Sequence, residues 1–166
     1  MTGVIPDKAI DGALRILVVE DEALIALELE CLLDDLGHVT IGVVGNSQEA
    51  IALGRSAAPD VALVDIHLID GPTGIEVARA LSADQRTTVV FMTANSKRIP
   101  PDFAGAFGVI AKPYSERAVA NALHYVAERR AGRTPPPEGL DGFRLAAMPE
   151  GETEFGAEGT GPDLRH

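Results

Sequence analysis

Asp65 closes the apolar run VALVD at residues 61–65, and a carboxylate at the end of a buried strand costs free energy unless it is paired, coordinated or used chemically. Comparable groups end other apolar runs: Glu20 and Asp21 after RILVV, Thr93 at the end of TTVVFMT, and Lys112, ahead of Pro113, after GVIA. If these runs are neighbouring strands of one sheet, three carboxylates, a hydroxyl and an ammonium converge at one edge. Close carboxylates repel one another and raise at least one pKa unless a cation joins them, and a hard divalent ion of the Mg²⁺ type is the usual remedy. Mg²⁺ takes only one or two carboxylates and keeps positions for a phosphoryl oxygen, so the set suits phosphoryl transfer to a carboxylate. Asp65 is the expected acceptor. Thr93 and Lys112 then supply a donor and a positive charge to the other phosphoryl oxygens.

The elements that must position these groups follow from the apolar pattern. RILVVE reads as a short buried strand, and EALIALELECLLDDLG after it as an amphipathic helix stopped by Gly37. The alternation recurs through HVTIGVVG, SQEAIALGRSAA, DVALVDI, GIEVARALSAD, TTVVFMTA, GVIAKP and SERAVANALHYVAERR. Strands that are continuously apolar rather than alternating imply a parallel sheet covered on both faces. The expected fold is α/β, a doubly wound five-stranded parallel sheet of flavodoxin-like type. Between the fourth and fifth strands, NSKRIPPDFAGAF places Pro100 and Pro101 in tandem, so the helix expected there is shortened or irregular. With few apolar anchors, that segment is expected to have low local stability.

Residues 1–13 carry no apolar period and read as a flexible leader, residues 14–131 as the folded domain, and residues 132–166 as a disordered tail. In residues 133–166, Pro and Gly fill 11 positions and seven acids face three bases, a composition that buries too little to offset its ordering entropy. Within it, GFRLAAM is an apolar island that reads more readily as a loop than as a docked segment. The 166 residues suffice for one domain, and the net charge of -11 argues against binding nucleic-acid phosphates. No run reaches the length of a membrane span or resembles a signal peptide, and the one cysteine, Cys31, has no internal partner. The expected compartment is the cytoplasm, with proteins or cations as partners.

The ordered set of Glu20 with Asp21, Asp65, Thr93, and Lys112 with Pro113 resembles the receiver domain of two-component response regulators over roughly residues 14–131. That resemblance implies Mg²⁺ ligation by the carboxylates of Asp21 and Asp65 and by the backbone carbonyl of His67, with Glu20 acting through water. It implies phosphorylation of Asp65 by a sensor histidine kinase or phosphotransfer protein, with Mg²⁺-dependent self-phosphorylation and self-dephosphorylation rather than turnover of a substrate. Output would pass through contacts with a downstream protein, or the chain would act as a phosphate sink. No output domain is legible. Val109 stands three positions before Lys112, where many members carry a Tyr or Phe switch. Together with FMT and the Pro-Pro segment, this resembles a subgroup named for a Phe-Ala-Thr-Gly motif, with Met92 and Ala94 in place of the motif's Ala and Gly. That subgroup consists of single-domain regulators, often paired with kinases of the HWE type in stress signalling.

Other readings compete with parts of this one. Glu20, Asp21 and Glu22 also suit a helix N-terminus, DGPTG at residues 70–74 has turn chemistry and no assigned catalytic role, and Cys31 falls in the first helix as a small core residue. A flavodoxin-like enzyme or binding module needs a Gly-rich phosphate loop after the first strand, where VVEDEAL stands instead. A receiver-like adaptor that works without phosphorylation fits less well, because every active-site position is filled.

Overall fold

Five of the apolar runs are parallel strands, β1 (Arg15–Val19), β2 (Val39–Val44), β3 (Val61–Asp65), β4 (Thr88–Thr93) and β5 (Gly108–Ala111), in a computed structural model that describes residues 12–135 and 140–146. They lie in the order β2-β1-β3-β4-β5, the flavodoxin-like arrangement, in which functional groups gather beyond the carboxyl ends of the strands. Ile16 to Val19, Val61 to Val64 and Val89 to Thr93 are all buried, as continuous apolar runs must be when both faces of a sheet are covered.

Helices α1 (Ala23–Asp35) and α4 (Glu116–Arg130) cover one face, where Leu29, Leu33, Val119 and Leu123 meet Ile16, Val18, Leu63 and Ile110. Helices α2 (Ser47–Ala57) and α3 (Gly74–Ser82) cover the other, where Ala50, Val77 and Leu81 meet Leu17, Val64 and Phe91. The cap of α2 is Asn46, which accepts from the Glu49 amide at 2.9 Å, and that of α4 is Ser115, which accepts from the Ala118 amide at 3.0 Å. Gly37, with φ of 91°, follows α1 as its stop.

Three expectations need correction. Cys31 is exposed, not in the core: the buried stripe of α1 is Ala26, Leu29 and Leu33, and the helical period turns Cys31 away from it. The segment between β4 and β5 is irregular as expected, with 3-10 turns at Ser96–Arg98 and Phe103–Gly105 on either side of Pro100 and Pro101, but it does not lack anchors. Ile99 and Phe103 pack against the core under α3, Ala104 and Ala106 are buried, and Arg79 of α3 holds both oxygens of Asp102 at 2.9 and 3.3 Å.

The third correction concerns the C-terminal stretch. Phe143–Leu145 form a sixth strand, β6, antiparallel to β5 in the register Gly108 with Leu145, Val109 with Arg144 and Ile110 with Phe143. Phe143 and Leu145 are buried and Arg144 is exposed, so the island in GFRLAAM has a strand's alternation that the surrounding composition masks. The expected leader, up to residue 11, and the tail from residue 147 lie outside the described residues. Among the described residues no helix is long and apolar enough to cross a membrane.

Candidate functional site

The carboxyl ends of β1, β3, β4 and β5 bring the expected residues to one edge of the sheet. Lys112 follows β5 immediately, and its amide donates to the Thr93 carbonyl at 2.9 Å, which ties the ends of β4 and β5 together. Its ammonium reaches across to Glu20 Oε1 at 3.0 Å and Asp65 Oδ2 at 3.2 Å. Carboxylate oxygens of Glu20, Asp21 and Asp65 all lie within 4.8 Å of one another.

Glu20 is the most enclosed of the three acids, with 6% of its surface exposed. Its other oxygen accepts from the Glu22 amide at 3.1 Å. Burial nevertheless pushes the Glu20 carboxyl above its ordinary value, against the pull of that amide and of Lys112. For Lys112, burial pulls downward, but the hydrogen bond to Glu20 and the charge of Asp65 outweigh it and hold the ammonium above its usual pKa. The two shifts describe one arrangement: burial disfavours the charge on Glu20, while the neighbouring acids hold Lys112 as a cation.

A divalent cation suits this cluster, since three carboxylates facing one ammonium leave two formal negative charges. Oxygens around an octahedral Mg²⁺ ion stand about 3 Å apart when adjacent and about 4 Å apart when opposite. The observed cluster needs little closure to reach that geometry when one acid acts through water. Asp21 is exposed at the mouth, and His67 is exposed two residues beyond Asp65, with its imidazole outside the cluster.

Thr93 is buried at the end of β4, where its hydroxyl oxygen accepts from the Asn95 amide at 3.0 Å. That bond ties the hydroxyl to the first residues of the irregular segment. Val109 is buried within β5, so no aromatic ring stands at that position to swing inward.

Two supports of the site were not assigned from sequence. Gly74 opens α3 against the backbone of Asp65 and Ile66, so close that a Cβ would collide with the Asp65 carbonyl oxygen; glycine there lets α3 begin directly behind the acceptor. Asp70, in the turn given no catalytic role, accepts from the Ser47 hydroxyl at 2.7 Å, the Ser47 amide at 3.1 Å and the Thr73 hydroxyl at 2.6 Å. These bonds, those of the Ser47 hydroxyl first, hold its carboxyl down at about 2. With the Ile69 amide donating to the Gly45 carbonyl at 3.1 Å, they tie the loop after Asp65 to the loop after β2. The spacing of Gly74 nine residues after Asp65 was visible; the close approach that requires glycine was not.

A family model described as the response regulator receiver domain matches residues 16–124. The phyllosphere-induced regulator PhyR of Methylorubrum extorquens is 37% identical over 122 residues, which are 69% of this chain and 44% of that relative; the chain thus corresponds to less than half of that relative's length. The solution structure of the PhyR response regulator REC domain of Erythrobacter litoralis is 27% identical with a TM-score of 0.63, over 75% of this chain and 95% of that one. The receiver domain of a sensor histidine kinase of Pseudomonas aeruginosa, with a magnesium ion coordinated in its active site cleft, is 26% identical with a TM-score of 0.59, over 69% of this chain and 98% of that one.

Proposed function

The chain belongs to the response regulator receiver family, and on that footing we propose that it accepts a phosphoryl group on Asp65 from a sensor histidine kinase or phosphotransfer protein. An oxygen of Asp65 attacks phosphorus while the bond from phosphorus to the donor imidazole nitrogen breaks, and the imidazole leaves with the electron pair. The product is an acyl phosphate. Water attack at phosphorus later breaks the new P–O bond and returns Asp65 and inorganic phosphate. Asp21, Asp65 and the His67 carbonyl would hold Mg²⁺, with Glu20 acting through water, and the ion would supply charge neutralisation at the phosphoryl oxygens. Lys112 already spans Glu20 and Asp65, and it supplies a positive charge beside the acceptor. The Thr93 hydroxyl, which accepts from Asn95, keeps its own proton to donate to a phosphoryl oxygen.

The observation that carries this reading is the Lys112 bridge to Glu20 and Asp65 beside the exposed Asp21 carboxylate. An acid cluster that served only to favour a helix N-terminus has no need of a lysine delivered from the far strand β5. Output passes through protein contacts in a two-component pathway, to a downstream target or as a drain on a kinase; membership of the Phe-Ala-Thr-Gly subgroup and a cytoplasmic location belong to the same proposal. Intact mass after incubation with Mg²⁺ and a small phosphodonor tests the chemistry. One phosphoryl adduct, lost when the metal is chelated beforehand, is expected; an adduct that forms equally without metal contradicts the role given to the acid cluster.

A further inference from the structure

The edge of β5 is where a strand from outside the sheet is already seated. Along it β6 contributes a backbone ladder, closed at one end by the Ala111 amide donating to the Gly142 carbonyl at 3.2 Å and at the other by the Ala146 amide donating to the Phe107 carbonyl at 2.9 Å. Two side chains face the core under α4. Phe143 stacks on Phe107 at 6.4 Å between ring centroids, and Leu145, paired with Gly108 in the ladder, is buried in the same core. Gly108 is shaped for this guest: a Cβ there would stand 2.6 Å from the Arg144 carbonyl oxygen and 2.7 Å from the Phe143 ring. Arg144 points outward and sets its guanidinium 5.3 Å from the centre of the Phe103 ring, a cation–π contact.

Such a guest is small. A three-residue edge strand held by one ladder and two apolar side chains is an element of low local stability. We infer that the β5 edge is a strand-accepting site, plugged in the resting protein by residues 140–146, whose functional occupant is an extended segment of a separate partner protein. That segment runs antiparallel to β5 and carries an aromatic residue, a basic residue and an aliphatic residue in succession. The aromatic residue takes the place of Phe143 and the aliphatic one that of Leu145. The basic residue replaces Arg144 over Phe103, and a chain of net charge -11 favours a basic partner over a neutral one. Main-chain bonds supply affinity and the alternating pockets specificity, as in other strand-addition complexes. Because β6 is tethered, it competes at high effective concentration, so a free segment binds well only when the plug is weakened.

The test uses the full chain and a labelled peptide of sequence Leu-Asp-Gly-Phe-Arg-Leu-Ala-Ala. A Phe143→Ala, Leu145→Ala double variant is expected to bind it at least tenfold more tightly than the unaltered chain, and a peptide with Glu in place of its Arg more weakly than the parent. Equal binding by a double variant that melts cooperatively overturns the proposal. Amide exchange in the unaltered chain checks it without any substitution: Ala111 and Ala146 are expected to exchange at least tenfold faster than the amides of β3 and β4. Exchange as slow as theirs means β6 leaves only on global unfolding and contradicts the plug. Sedimentation separates the remaining occupant: a concentration-dependent dimer of the unaltered chain that disappears in the double variant assigns the edge to a second copy and overturns the partner assignment.

Discussion

At the scale of single residues, the site is a balance between acids that resist sharing a space and one lysine that lets them. Asp21 is exposed and free to turn its carboxylate to a metal, whereas Glu20 is buried and engaged by Lys112 and the Glu22 amide. Asp21→Asn is therefore expected to weaken Mg²⁺ binding on the order of tenfold or more, and Glu20→Gln by less, because direct ligation outweighs a contact through water. Calorimetric titration of both variants checks this, and equal losses would show the roles misassigned. Asp70 makes a separate prediction. Its folded pKa of about 2 lies below the ordinary 3.8, so its contribution to stability is fully present above pH 3.8 and is lost as pH falls towards 2. The melting temperature gap between the unaltered chain and Asp70→Asn is expected to be constant above that value and to close below it. That Glu20, Asp21, Asp65, Thr93 and Lys112 gather at one edge was legible because each ends or follows an apolar run. The Asp70 network was not, since DGPTG looks the same whether its aspartate faces water or caps the neighbouring loop.

At the scale of elements, Thr93 and Lys112 each begin a path outward. From Thr93 the Asn95 amide leads into the two 3-10 turns, and from Lys112 the chain backs onto Ala111, whose amide is held by Gly142 ahead of β6. Both paths meet where Arg144 lies against Phe103. A phosphoryl mimic on Asp65 that draws on the Thr93 hydroxyl and on Lys112 is expected to change amide exchange in residues 95–107 and at Ala111 and Ala146 together. Changes confined to α1, with those amides unaltered, would contradict that route. The parallel strands and the irregular connection were legible in the runs and in Pro100-Pro101. The anchoring of that connection was not, because Ile99, Phe103 and the Arg79–Asp102 pair depend on α3 lying beside it. Phe103 and Ala104, at φ of 55° and 51°, adopt a left-handed turn that no residue type there announces.

At the scale of the whole molecule, five parallel strands in receiver order carry a sixth that composition concealed. Averaged over residues 133–166 the chain reads as unable to fold, yet two buried side chains and a ladder suffice to seat residues 140–146 locally. Phe143→Ala is expected to cost about 1–3 kcal/mol, limited by the energy at which β6 comes away. A melting temperature lowered by several degrees checks it; an unchanged value would mean that the seating of Phe143 adds nothing to the fold. Asp65 as the acceptor is the central claim, because the acid cluster and the lysine bridge both converge on that carboxylate. Intact mass of the unaltered chain and of Asp65→Asn, each incubated with Mg²⁺ and a small phosphodonor, tests it most directly. The account predicts one phosphoryl adduct on the first and none on the second, with both folded; an undiminished adduct on Asp65→Asn would contradict it.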